Sequence, residues 1–125
     1  MKGISFAFLL TGVIAVTLGM IWGIQMSATG DHTLSPAHAH LNLIGFVVMV
    51  IYAIYYHLTP QAAGRLARAH FALSLAAVVV IVPGIAMAIS GVSETAAKIG
   101  SILVLLSMLT FLYTVARNGF GARTA

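Results

Sequence analysis

The chain has 125 residues, 61% hydrophobic and only 6% charged, with a formal net charge of +4 and no cysteine. Soluble domains carry about a quarter charged residues, so a water-facing surface is excluded for most of this chain and lipid must be its solvent. Without cysteine there are no disulfides, thiolate metal sites, iron–sulfur clusters or thioether-attached haem. The basic residues sit at the ends of apolar runs. Membrane topology explains that placement, and no nucleic-acid partner is expected.

Four apolar runs, at 4–26, 36–58, 67–89 and 96–116, are each long enough to cross about 30 Å of hydrocarbon at about 1.5 Å per residue. The first carries Gly12, Gly19 and Gly23 on one face, with Gly19 and Gly23 as a small-xxx-small pair that lets helices approach in lipid. Met26-Ser27-Ala28 after it loosely resembles a signal-peptidase site, but the run is about twice the usual length of a signal-peptide core. It is therefore read as a span. The second run opens on Ser35-Pro36, a cap followed by proline at the first helical position, and ends at Thr59-Pro60. In the third, Gly84 and Ala88 repeat the small-residue spacing, and Pro83 is expected to kink the helix. Ser93-Glu94 opens the fourth, and Asn118-Gly119 closes it.

The connections are short, so neighbouring helices are expected to be antiparallel. The reading is an all-α, integral membrane, four-helix up-down bundle in a single domain, residues 1–125. Lys2, Arg65, Arg68, Arg117 and Arg123 fall on one side and Lys98 alone on the other, with Asp31 and Glu94. By the positive-inside rule both termini are expected to be cytoplasmic, in a bacterial-type inner membrane.

Ionisable groups in membrane spans are costly and mark function. Two of the five histidines, His38 and His40, enter the second span from its outer end together with Asn42. At about 100° per residue the two histidines point to nearly opposite sides and cannot share one metal. His38 shares a polar or small face with Asn42, Gly45, Met49 and Tyr56, whereas His40 shares its face with Leu43, Ile44, Val47 and Ile51. An imidazole on an apolar face just below the interface suits a haem axial ligand. The competing reading of His40 is a histidine that hydrogen-bonds across helices. His38 reads as interfacial, with a haem-propionate, metal or second-ligand role as the alternative, and Asn42 could bridge helices or orient a histidine at the haem. Met20 and Met87 are depth-matched candidates for a second axial ligand, with packing as their alternative. Trp22 could flank a porphyrin. His32 reads as a loop residue. His57 lies about 25 Å from His40 along the helix; His57 and His70 read as interfacial residues, with a shared metal as the alternative. Tyr52, Tyr55 and Tyr56 read as an aromatic belt.

His40-Leu41-Asn42-Leu43, in a second helix that starts at the outer face, resembles the His-Thr-Asn-Leu segment of the nitric oxide reductase large subunit, a relative of haem–copper oxidase subunit I. Tyr55-Tyr56-His57-Leu58-Thr59-Pro60 is similar to the end of that helix. The pattern also resembles small four-helix membrane proteins grouped loosely with that subunit. The resemblance covers the first two helices and implies low-spin haem b on His40. It departs from the family in having no histidine on the fourth helix and no histidine pair on a later one, so one copy cannot build a haem–copper centre. A homo-oligomer is expected, because a four-helix unit offers little buried volume for a porphyrin and the glycine-rich faces of the first and third helices exceed what one small bundle needs. The family's subunit consists of three arcs of four helices, which implies a trimer sooner than a dimer.

The expectation is thus a haem-b-binding membrane protein that transfers electrons, to or from a redox partner, or handles haem or a small gas. The alternative is a cofactor-free scaffold or accessory subunit. No catalytic triad, carboxylate pair or phosphate loop is legible. Catalysis by the chain alone is not expected, although the resemblance implies an oxidoreductase-type role.

Overall fold

The computed structural model describes residues 1–124, which form helices and connecting turns without a strand. Four helices are long and apolar enough to cross a membrane: α1 (Gly3–Thr29), α2 (Ser35–Leu58), α3 (Arg65–Ile89) and α4 (Thr95–Asn118). Each encloses one of the apolar runs. A 3₁₀ turn, Pro60–Ala62, follows α2. Gly30 and Gly119 stop α1 and α4 in positive-φ conformations (69° and 68°) that disfavour residues with a Cβ. Two caps differ from expectation. Ser35 lies inside α2, with Leu34 at the cap. Glu94 sits at the cap of α4, where the Ser93 hydroxyl accepts the Thr95 amide at 3.2 Å, and not in the first turn. Helix α3 runs unbroken through Pro83.

The bundle has polar groups inside and hydrocarbon outside. Ile14, Leu18, Ile21, Ile102, Leu105 and Leu112 are all more than half exposed, while Ser5, Thr59, His70, Ser74, Ser107 and Thr114 are buried. That distribution would be unstable in water, where each exposed apolar side chain costs roughly 25 cal/mol per Å². In a bilayer it costs nothing, and buried hydroxyls find partners across helices. The chain is accordingly a multi-pass helical membrane protein.

Glycine permits the closest helix contacts. On α1, a Cβ at Gly12 would lie 3.1 Å from the Val50 side chain, one at Gly19 would overlap the Asn42 side-chain amide, and one at Gly23 would lie 3.2 Å from His38 Nε2. The glycine face of α1 is therefore closed against α2 of the same chain. Likewise a Cβ at Gly84 would lie 2.6 Å from the Ala97 nitrogen, and one at Gly100 2.6 Å from the Ile81 Cα. Helices α3 and α4 thus meet backbone to backbone. The small-residue faces, expected from sequence to exceed the needs of one bundle, are used within it.

Candidate functional site

The N-terminal half of α2 carries Pro36, whose missing amide suits a first turn. Two residues later His38 turns inward. Its Nε2 is 2.9 Å from the Gly19 carbonyl, and its ring stands edge-on to Trp22 at 5.9 Å between centroids. A nitrogen donating to a carbonyl has no lone pair for iron. It also cannot accept from the Asn42 amide nitrogen, drawn 3.3 Å away. Turning that amide about puts its oxygen beside the Nε2–H, which then faces two acceptors, the Gly19 carbonyl and the Asn42 oxygen. His38, Asn42 and Trp22 thus form a polar clasp between α1 and α2, and glycine at 19 makes room for it.

His40 lies on the opposite side of the helix and is half-buried. Its Nδ1 is 2.7 Å from the Pro36 carbonyl, one turn back. Since a carbonyl only accepts, Nδ1 carries the proton and Nε2 keeps its lone pair. Leu43 and Val47 beside it are exposed to lipid, and Ile44 is half-buried. Directly after this segment the helix widens into a π turn over Leu43–Val48, a distortion that recurs at functional sites. Within it Gly45 receives α1 and α3 together: a Cβ there would lie 3.0 Å from Ala15 Cβ and 3.4 Å from Val78 Cγ1.

Met20 and Met87 are exposed on the outside of the bundle, Met20 strongly so at 64%. The main apolar groove, about 470 Å³, lies on the flank where Leu18 of α1, Leu41 of α2 and Val78, Val82 and Pro83 of α3 converge. Neither methionine lines it, nor does His40. Among the described residues no three His, Asp, Glu or Cys side chains come together as a metal cluster.

The opposite half of the bundle holds an arrangement that sequence reasoning missed. His70 is fully buried. Its Nδ1 pairs with the Tyr56 hydroxyl at 2.9 Å, and its ring is packed among Phe8, Tyr52 and Phe111, stacking on Phe111 at 5.9 Å. Its Nε2 has no partner. One turn on, the Ser74 hydroxyl donates to the His70 carbonyl at 2.7 Å and receives the Ser107 hydroxyl at 2.6 Å. Both serines and Tyr52 line a small cavity of about 20 Å³, room for about one water. Tyr55 donates to the Gly119 carbonyl at 2.8 Å. Tyr52, Tyr55 and Tyr56 therefore form part of the core and not a belt, and His70 is not interfacial. His57 is exposed, so His57 and His70 do not form a site together. His32 stays in the loop between α1 and α2, its Nδ1 3.3 Å from the Gly30 carbonyl. Beside it Asp31 accepts the Thr33 hydroxyl at 2.6 Å and the Thr33 amide at 3.0 Å. Those two bonds hold its carboxyl below the usual carboxylate range.

No family model, curated protein or solved structure matches the chain.

Proposed function

We propose that the chain is a haem-b-binding membrane protein that works as a homo-oligomer in electron transfer or in haem or small-gas binding. In this reading it is an up-down bundle with both termini cytoplasmic and resembles one four-helix arc of haem–copper oxidase subunit I. One observation carries the proposal. The bond from Nδ1 to the Pro36 carbonyl fixes the His40 ring and leaves the Nε2 lone pair on an apolar helix face. Metal-ligating histidines almost always tie their other ring nitrogen in this way.

The donor fits haem iron. The slot does not close within one chain, because the apolar groove lies elsewhere. A porphyrin on His40 would stand on the flank of the bundle, where lipid or a second copy would cover it. The chain's residues would then act in two ways: His40 holds the ring, and His38 with Asn42 fixes the helix that carries it. When bound, haem supplies an iron that takes up an electron or a gas.

The visible spectrum of the purified protein tests this. A Soret band is expected, abolished in His40→Ala and retained in His57→Ala. A colourless protein, or a band that survives His40→Ala, rejects the proposal. The alternative, a cofactor-free scaffold, is favoured by the clasp, since His38, Asn42 and Trp22 all serve helix packing there.

A further inference from the structure

At the end of the bundle where α2 gives way to α3 and α4 finishes, three arginines surround one open pocket of about 290 Å³: Arg65, Arg117 and Arg123. Several contacts hold the pocket together. Gln61 donates to the Gly121 carbonyl at 2.9 Å, Thr59 receives the Gly121 amide at 3.0 Å, and Asn118 donates to the Thr114 carbonyl at 2.9 Å. The segment after α4 is thereby fastened to the turn after α2, which brings Arg123 to the same opening as the first residue of α3. The Tyr113 hydroxyl receives the Arg117 guanidinium at 2.9 Å and orients it.

Two features separate this pocket from ordinary basic residues at a helix end. First, no acidic side chain among the described residues offsets its charge. The two acidic residues are Asp31 and Glu94, both in the connections at the other end of the bundle, and the one ion pair among the described residues joins Glu94 to Lys98. Second, Gln61 lines the pocket, and its Oε1 is buried without a partner. The amide's orientation is fixed by its Nε2 bond to Gly121, so this oxygen is an acceptor awaiting a hydroxyl or water. A buried acceptor left unpaired is unfavourable until a donor reaches it. The pocket sits at the ends of three spans, the depth at which lipid phosphates lie.

We propose that this pocket binds the phosphate of an anionic phospholipid, with Arg65, Arg117 and Arg123 on the phosphate oxygens and Gln61 Oε1 accepting from a headgroup hydroxyl. The required chemistry, a phosphate ester next to a hydroxyl, is that of phosphatidylglycerol. The inference is independent of haem and of which side of the membrane this end faces, since both leaflets carry phosphates.

Native mass spectrometry of the detergent-solubilised protein, titrated with phosphatidylglycerol and phosphatidylcholine of the same chains, reads it. The expected result is preferential retention of phosphatidylglycerol. That preference should fall about fivefold for each of Arg65→Gln, Arg117→Gln and Arg123→Gln, from about 1 kcal/mol per basic residue near the surface. Gln61→Ala should narrow the preference over a headgroup lacking the hydroxyl. Arg68 is exposed on the next turn of α3 and does not line the pocket, so Arg68→Gln should leave the preference within about twofold. Equal retention of the two lipids by the unmodified protein overturns the proposal without depending on any variant's folding. An equal loss in Arg68→Gln overturns it in favour of diffuse surface charge. Displacement of phosphatidylglycerol by equimolar inorganic phosphate overturns it in favour of a free-anion site.

Discussion

At the scale of single residues, two histidines do structural work that their positions in the sequence disguise. His70 comes five residues into α3 and reads as interfacial. It is buried because Phe8 arrives from α1 and Phe111 from α4, distant in sequence from each other and from it. No local pattern announces that convergence. The Tyr56–His70 bond is testable by a double-mutant cycle. Tyr56→Phe leaves Nδ1 as a second unpartnered nitrogen on a buried ring and should cost about 1–3 kcal/mol of unfolding free energy in detergent. Adding His70→Phe removes the stranded ring, so the double variant should lose less than the sum of the singles. Additive losses would show that the bond contributes nothing beyond packing. For the same reason, loss of a Soret band in His70→Ala would not by itself identify a ligand, and His57→Ala is the cleaner control. At the start of α2, the division between His38 and His40 was legible from helical angle alone. The partner that occupies His38, the Gly19 carbonyl, was not legible, because it belongs to another helix. In haem-free protein, His38→Ala should lower the thermal midpoint and His40→Ala should not, as thermal denaturation in detergent would report. A reversed order would mean that the clasp contributes less than its geometry suggests.

At the scale of elements, the helices were legible because their signal is summed over more than twenty residues each. The caps were less so, since a single residue decides a cap and helix ends shift by one or two residues, to Leu34 and Glu94 here. The π turn at Leu43–Val48 has no composition cue: Leu, Ile, Gly, Phe and Val serve equally in an α-helix. The reason for it lies in tertiary contact, because Gly45 must admit α1 and α3 at one level. Glycine positions were legible as close contacts, but sequence could not say whether those contacts lay within the chain or between copies. The contacts differ in tolerance. At Gly100 a methyl group meets the backbone of Ile81, and at Gly23 it meets the movable ring of His38. Gly100→Ala must separate α3 from α4 and should cost about 1–3 kcal/mol, the usual effect of overpacking. Gly23→Ala should cost less. Unfolding measurements that rank Gly23→Ala as the worse substitution would contradict this view of the α3–α4 contact.

At the scale of the whole molecule, the question is whether one copy suffices. The oligomer expected from sequence drew on two arguments, and the glycine faces no longer support it, since α1 closes on α2 and α3 on α4. The other argument gains weight. His40 presents Nε2 on the flank of the bundle, beside Leu43 and Val47, which only lipid or another chain can cover. A porphyrin held there has one face and most of its edge outside the chain. On the proposed homo-oligomer, a second copy and not lipid supplies the missing wall, and assembly and haem binding are then coupled. Because binding to the assembled state alone shifts assembly by mass action, loss of the ligand should loosen the oligomer. Mass measurement in mild detergent should give a multimer, a trimer if the threefold plan of the resembled family applies. His40→Ala should shift it toward monomer, while His57→Ala, exposed at the far end, should not. A multimer that persists unchanged in His40→Ala would place the interface elsewhere. A monomer that still shows the Soret band would mean that one bundle and its lipids suffice to hold the haem, and the shared slot would have to be abandoned.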